Sequence, residues 1–348
     1  MLETIQRESV ISFPMLGDLR LNPPSYFMLF GHPIYFYGVL IGLGFLLGIA
    51  FCAKRAKRFG LKEDDIYDVM IWLIPCSIIG ARAYYVLFQL GYYVQHPDEI
   101  FALRNGGLAI YGGVIGAVLA VVIFTKVTKI RTAAMLDVGG LGLMIGQSIG
   151  RWGNFINREA HGGLTDSFLR MGLTDGAGAT VYVHPTFLYE SLWNILGFVI
   201  LHFYSKRRKY DGQIFVMYLG WYGLGRMFIE GLRTDSLYLG STNLRVSQLL
   251  AGLCVVFAVF FLFYNKVFRE HEPEELYVNR PKEELEETSE DTSEEPAAES
   301  AEETAEIDPE EPEETPEEAP SEAAEEILSD DPEDAPETDE TAVGEPEE

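Results

Sequence analysis

Apolar stretches long enough to cross a lipid bilayer dominate the first 268 residues. The hydrocarbon core of a bilayer needs about 18–20 consecutive apolar residues in a helix, and it leaves no water to satisfy an exposed backbone. We predict an all-α, polytopic membrane protein with about seven transmembrane helices. The alternative, a soluble all-helical protein, would carry polar stripes along its helices. The predicted spans cover residues 33–53, 66–90, 108–125, 132–150, 186–204, 212–230 and 246–268.

Negative charge is concentrated at the C-terminal end of the chain. Of the 53 acidic residues, 36 lie in 270–348 beside only two basic ones, whereas 1–269 holds 24 basic and 17 acidic residues. So acidic a segment, with few large apolar residues, cannot offset the entropy lost on folding. It is either a solvated extension or a docking tail for a basic partner. We predict an extracytoplasmic segment 1–32, a transmembrane domain 33–268 with an extracytoplasmic loop 151–185, and a disordered acidic tail 269–348.

Basic residues fix the predicted orientation. Four clusters follow the first, third, fifth and seventh spans, so all four lie at the same face of the membrane. Because short cytoplasmic loops are enriched in Lys and Arg, we predict that this face is cytoplasmic, with the N-terminus outside and the tail inside. The first 32 residues are expected to lie on the outer membrane surface, with Phe13 among their apolar anchors. The clusters are Lys54, Arg55, Lys57 and Arg58; Lys126, Lys129 and Arg131; Lys206, Arg207, Arg208 and Lys209; and Lys266 and Arg269.

The three cysteines, Cys52, Cys76 and Cys254, all lie in apolar runs and far apart in the sequence. No Cys or His spacing typical of a metal site or of a disulfide framework is present. We therefore predict buried thiols that pack as small apolar side chains, and no metal site.

Ionisable side chains in apolar spans are costly and mark functional sites by default. The predicted topology brings several of them to one depth near the outer face. In the sixth span, Tyr222, Arg226, Glu230 and Arg233 are separated by four, four and three residues, which places them on one helix face. A carboxylate between two guanidiniums leaves positive charge to hold a phosphate. The alternative is an ion-pair lock between helices. The other members are Tyr37, Arg82, Tyr111, Arg151 and Glu190.

A second polar segment, GQSIGRWGNFINREAHGG at 146–163, follows the fourth span. This segment contains more charged and amide side chains than a simple turn needs, so it either binds a polar headgroup or organises the loop. His184, further along, is either a base or a hydrogen-bonded structural residue. The polar residues of the segment are Arg151, Asn154, Asn157, Glu159 and His161.

These motifs carry a family likeness over roughly residues 30–268, though not over the tail. The block GRWGNFINREAHGG at 150–163 resembles the signature of the bacterial prolipoprotein diacylglyceryl transferases. Two further blocks, HPTFLYE at 184–190 and YGLGRMFIEGLR at 222–233, resemble that family in the same order. The blocks GGLAIYGG at 106–113 and YFYGV at 35–39 are also similar.

The resemblance implies a reaction in the bacterial cytoplasmic membrane. The diacylglyceryl group of phosphatidylglycerol passes to the lipobox cysteine of a preprolipoprotein, a thioether forms and glycerol phosphate leaves. It implies no cofactor, no nucleic-acid partner and a monomeric enzyme. Some Gram-negative members have a His at the position of Tyr111 that has been proposed as catalytic, whereas many Gram-positive members have Tyr. From the charged cluster and the resemblance together we predict two sets of site residues. The predicted catalytic residues are Arg151, Arg226, Tyr111 and Glu159, and the predicted substrate-binding residues are Tyr37, Arg82, Asn154, Gly162, Glu190, Tyr222, Glu230 and Arg233.

Two other functions are compatible with a charged membrane protein. A transporter or channel would place ionisable residues at the midplane and preferably contain an internal repeat, whereas here these residues gather toward one face. A scaffold that displays the acidic tail would lose its function when residues 270–348 are removed. A transferase would keep its catalytic activity after that truncation.

Overall fold

Each of the seven predicted apolar stretches contributes a long helix to the computed structural model of this chain. The structure describes residues 9–17, 19–103, 106–234, 236–238 and 244–280. Within these ranges the long helices are α1 (Phe36–Arg55), α2 (Glu63–Phe88), α3 (Ile110–Val127), α4 (Thr132–Asn157), α5 (Thr186–Tyr204), α6 (Gln213–Glu230) and α7 (Val246–Phe268).

Six of these helices, all except α6, are long and apolar enough to cross a membrane. The exception contains Arg226 and Glu230 within its 18 residues, and these charges lower its mean hydropathy. A multi-pass, mainly helical membrane protein is thus confirmed, while the seventh span stays a prediction.

The end of α4 differs from the sequence-based boundary. The apolar pattern stops at residue 150, but the helix continues to Asn157 and ends where Arg158 adopts a left-handed φ of 53°. Polar side chains continue a helix as readily as apolar ones when its backbone stays hydrogen-bonded. The predicted loop 151–185 therefore begins with about two further helical turns, and Arg151 lies inside a helix rather than at its end.

Small residues allow close helix packing. The helices α1 and α4 pair, as do α2 with α3 and α6 with α7. A Cβ atom added at Gly48 of α1 would lie only 2.9 Å from the carbonyl oxygen of Gly142 on α4, so the two backbones touch. Such contacts suit a bilayer, where helices associate through packing rather than through a hydrophobic force between them.

Two small antiparallel sheets, which the sequence did not predict, lie near the start of α1 and before α5. The strands β1 (Val10–Phe13), β2 (Leu19–Leu21), β5 (Met171–Thr174) and β6 (Thr180–Val183) form one sheet in the order β2-β1-β5-β6, and β3 (Tyr26–Leu29) pairs with β4 (His32–Tyr35).

The inner face of the larger sheet packs against the start of α5. Ile11, Phe13 and Leu173 are buried there in a cluster that includes Phe187 of α5. The prediction that Phe13 anchors residues 1–32 to the membrane surface is therefore wrong, because its ring lies in a protein core. Residues 1–8 lie outside the described part of the chain.

The chain folds back onto the bundle after α7. Tyr277 is buried in the main helical core, and its backbone N–H donates to Asp211 Oδ2 at 2.9 Å. Arg131 Nη1 donates to the Glu275 carbonyl at 2.7 Å. The sequence placed the start of the disordered tail at residue 269, whereas the packed chain extends to Arg280. The rest of the predicted tail, 281–348, lies outside the described residues.

Candidate active site

The Glu190 carboxylate, in the second turn of α5, is the centre of an ion-pair cluster. Its Oε2 lies 2.5 Å from Arg151 Nη2. Its Oε1 lies 3.1 Å from Arg226 Nη1 and 3.5 Å from Arg233 Nη1. Only 5% of the Glu190 side chain is exposed. One buried carboxylate therefore fixes guanidinium groups from the ends of α4 and α6.

A second carboxylate holds the other side of Arg226. Glu230 Oε2 lies 2.6 Å from Arg226 Nη2, and Ser247 Oγ donates to Glu230 Oε1 at 2.5 Å. Glu230 is 2% exposed. Ser247 is the second residue of α7. The sequence did not single it out, and its position at the start of the seventh span was the only available signal. The Arg226 fork is thus clamped between two buried acids.

The end of α4 extends the cluster toward solvent. Arg151 Nη1 donates to Asn154 Oδ1 at 3.3 Å, and Asn154 Nδ2 donates to Glu159 Oε1 at 3.0 Å. The same oxygen accepts a bond of 3.3 Å from Asn157 Nδ2. Glu159 itself is exposed. A chain of hydrogen bonds therefore leads from the buried Glu190 to an accessible carboxylate.

Gly162 lies in the loop that follows α4, where this loop packs against the start of α5 and the end of α6. Its N–H donates to the His184 carbonyl at 2.9 Å, and it bridges to Arg233 as an isolated β-pair. A Cβ atom at this position would lie 2.7 Å from His184 Cβ and 2.9 Å from the Leu232 carbonyl oxygen. Real Cβ atoms do not approach so closely, so only glycine at position 162 allows the loop to pack against His184 and Leu232.

Of two tyrosines predicted to bind substrate, Tyr222 lies next to the cluster and Tyr37 packs on the same segment of α4 as Arg151. Tyr222 lines a void of about 10 Å³ together with Glu190 and Arg226, which is about the space of one water molecule. The Tyr37 ring packs over Gly153 of α4, in the position that a Cβ atom would need. Both residues are half-buried.

Two other predicted site residues lie apart from the cluster. Arg82 is buried and donates to the carbonyls of Glu99, Ile100, Gly106 and Gly107 at 2.6–2.9 Å. It holds the loop that precedes α3. Tyr111, in the first turn of α3, is half-buried, and its hydroxyl makes no hydrogen bond to any residue that the structure describes. A substrate contact of Arg82 and a catalytic role of Tyr111 stay predictions.

Arg158 is a structural residue that the sequence did not distinguish from its neighbours. Its guanidinium is buried and donates to the Ser9 carbonyl at 3.1 Å and to Asn22 Oδ1 at 2.7 Å. Burial lowers the pKa of Arg158. These bonds attach the N-terminal strands to the end of α4, beside the segment that carries Arg151.

The arrangement is suited to holding a phosphate. Guanidinium forks match phosphate oxygens in a bidentate way, and the two acids hold the forks in place before a ligand arrives. Exposure falls from 23% for Arg151 to 17% for Arg226 and 11% for Arg233. An anion would therefore meet Arg151 first.

Comparison with known proteins identifies the family of this chain. The family model for prolipoprotein diacylglyceryl transferase matches residues 24–264, which include every residue of the cluster. The phosphatidylglycerol–prolipoprotein diacylglyceryl transferase of Enterococcus faecalis is 44% identical over 272 residues, 76% of this chain and 96% of the relative. The same-named protein of Clostridioides difficile is 49% identical over 231 residues, 66% of this chain and 90% of the relative. The chain therefore belongs to the prolipoprotein diacylglyceryl transferase family.

Proposed function

We propose that this chain transfers the diacylglyceryl group of phosphatidylglycerol to the lipobox cysteine of preprolipoproteins, the first step of lipoprotein maturation. The observation that carries the proposal is the cluster of Arg151, Arg226 and Arg233 around Glu190, within the region that the family model matches. The names of the relatives state the same two substrates.

The chemistry follows from the charges. The cysteine thiolate is the nucleophile, and it attacks the glycerol carbon that carries the phosphate ester. A C–S bond forms while the C–O bond breaks, and the departing glycerol phosphate keeps the electron pair. Arg151 and Arg226 stabilise the charge that develops on the phosphate oxygens. Because both forks are already held by carboxylates, little reorganisation is needed as the bond breaks.

The acceptor of the thiol proton is one of three groups: the phosphate itself, Glu159 or Tyr111. Glu159 is exposed and joined to Arg151 through Asn154, so it combines access for a peptide with a link to the phosphate site. Replacing Glu159 with Gln and Tyr111 with Phe, one at a time, separates these routes. The variant that loses the acidic limb of the pH profile for transfer identifies the acceptor, and the phosphate is the acceptor if both variants keep that limb.

We propose that the remaining predicted residues line the lipid and peptide path. Tyr222 and Asn154 lie beside the cluster, Tyr37 packs on Gly153 of α4, and Gly162 holds its loop against His184 and Leu232. We further propose, from the family resemblance, that the enzyme acts as a monomer.

We propose that the cluster faces the outside of the cytoplasmic membrane, with the N-terminus on the same side. Support comes from the basic residues, which gather at the opposite helix ends. A membrane-impermeant thiol reagent tests this in whole cells, on a chain whose native cysteines are replaced by Ala. A cysteine at the exposed Met28 should react, whereas one at the exposed Arg269 should react only after lysis. The reverse pattern would invert the proposed topology.

The proposed activity is tested with the full-length chain in vesicles that contain phosphatidylglycerol and a lipobox peptide. A thioether-linked diacylglyceryl peptide is the expected product.

A further inference from the structure

A second cationic site lies at the other end of the bundle. Tyr37, near the start of α1, packs beside the active-site end of α4, whereas Arg55 ends α1 about 27 Å further along at 1.5 Å per residue. A cavity of about 320 Å³ opens there. It is lined by Arg55, Arg58, Phe59, Ser205, Lys206 and Arg208.

Positive charge predominates among the side chains that line this basic cavity. Four of its six lining residues are cationic, and none of those that the structure describes there is acidic. Arg55 Nε and Nη2 are buried, yet they make no hydrogen bond. Buried charged groups without a partner are costly, so these nitrogens are suited to an anionic ligand.

The wall of the cavity is fixed by Arg208, which is only 7% exposed. Its Nη2 donates to the Arg58 carbonyl at 2.9 Å, and its guanidinium carbon lies 4.3 Å from the centre of the Phe59 ring. Its Nε lies 3.8 Å from Asp211 Oδ1. That carboxylate also pairs with Arg131 at 3.3 Å, so it does not neutralise the cavity.

We propose that this basic cavity binds a phosphate group, carried either by the headgroup of an anionic phospholipid or by a soluble phosphate. The volume lies in the range of small-ligand pockets, and basic pockets between membrane helices are suited to lipid headgroups. The cavity lies where α1 and α5 end, which is the level of the headgroups in a bilayer. It is separate from the Glu190 cluster and does not depend on the proposed reaction.

The chain's own acidic segment is the competing occupant. The Val278 backbone packs closely against Gly60, next to Phe59 of the cavity. The sequence beyond Arg280 contains Glu283 and Glu284. The phosphate is favoured because the unpartnered nitrogens belong to a compact cavity, for which a fork-shaped donor and a tetrahedral anion are well matched. A chain ending at Arg280 distinguishes the two occupants.

The test is native mass spectrometry of the full-length chain, titrated with phosphatidic acid in detergent. The double variant Arg55→Gln/Lys206→Gln removes two charges from the cavity. Its matched control, Lys54→Gln/Lys57→Gln, removes two exposed charges from the same helix end. We expect the cavity variant to bind one phosphatidic acid at least tenfold more weakly and the control to stay within twofold. Lys206→Gln alone, which leaves the buried guanidiniums intact, provides the same comparison if the double variant does not fold.

A second arm replaces the lipid with inorganic phosphate. If the cavity variant weakens the binding of phosphatidic acid alone, the ligand is a lipid headgroup. If it weakens the binding of inorganic phosphate to the same extent, the ligand is a soluble phosphate. Equal weakening in the cavity variant and the control would overturn the proposal. It would also be overturned if only the chain that ends at Arg280 bound phosphate, because the acidic segment would then be the occupant.

Discussion

The Glu190 carboxylate lies 2.5 Å from Arg151 Nη2 and joins the start of α5 to the last turns of α4. Its other oxygen lies 3.1 Å from Arg226 on α6, so a single side chain sets the relative positions of two guanidiniums. Because removing one partner of a buried ion pair leaves an uncompensated charge, the geometry of the site depends on Glu190 as much as on the arginines.

Arg151 and Arg226 should each be required for transfer. Replacing either residue with Ala removes a preorganised donor from the departing phosphate, for which a loss of about 100- to 1000-fold in turnover is expected. The measurement is the rate at which labelled diacylglyceryl reaches a lipobox peptide. Arg269→Ala, at an exposed position beyond α7, should leave the rate unchanged. A wild-type rate in either active-site variant would remove that arginine from the mechanism.

Replacing Glu190 with Ala should destabilise the protein. Three arginines lose their shared carboxylate, and breaking a buried pair costs about 3–5 kcal/mol. We expect a lower thermal midpoint in detergent, together with a loss of transfer that supplying more phosphatidylglycerol does not restore. A comparison with Glu159→Ala is informative, because that carboxylate is exposed and its removal should leave the midpoint near that of the wild type. Equal midpoints for both variants would contradict the role given to Glu190.

Two adjacent glycines should respond differently to the same substitution. A methyl group at Gly162 would meet His184 Cβ at 2.7 Å and the Leu232 carbonyl at 2.9 Å, whereas at Gly163 its nearest neighbours lie 3.9–4.0 Å away. Gly162→Ala should therefore displace the loop from the ends of α5 and α6 and reduce transfer at least tenfold. Gly163→Ala should be tolerated. The pair is compared at matched protein level, and equal activities would show that the loop is not packed as described.

The position at which the C-terminal region is cut should matter. A chain that ends at Arg280 keeps Tyr277 in the core and its bond to Asp211, so its transfer activity should equal that of the full-length chain. A chain that ends at Arg269 loses this packing and should have a lower thermal midpoint. Loss of activity in the chain that ends at Arg280 would favour a scaffold that acts through its acidic tail.

Helix periodicity and hydrophobicity predicted the α-helical part of the fold well, but not the sheets. The span 186–204 is identical to α5, because both of its ends are marked by a change from polar to apolar residues. The larger sheet was missed, since β1 pairs with β5 some 160 residues away, and strands of three or four residues are too short to show a period. The buried Tyr277 was missed because acidic neighbours surround it in the sequence.

The site was predicted in part. Depth along the spans brought Arg151, Glu190 and Arg226 to one level, and the structure brings them into contact. The same argument placed Arg82 at that level, yet its side chain turns to the carbonyls of a loop. Depth fixes position along the membrane normal, not the direction in which a side chain points. That direction depends on neighbouring elements that a single sequence does not describe.

We expect the arginines held by Glu190 to support lipid transfer to a cysteine. The most direct measurement uses purified full-length protein in vesicles with phosphatidylglycerol and a lipobox peptide, and it follows the peptide mass over time. The expected product is a diacylglyceryl thioether that depends on Arg151 and Arg226, is absent when the peptide cysteine is replaced by Ser, and is accompanied by an equal amount of glycerol phosphate. A folded protein that forms no such product, or forms it equally well without either arginine, would contradict the account.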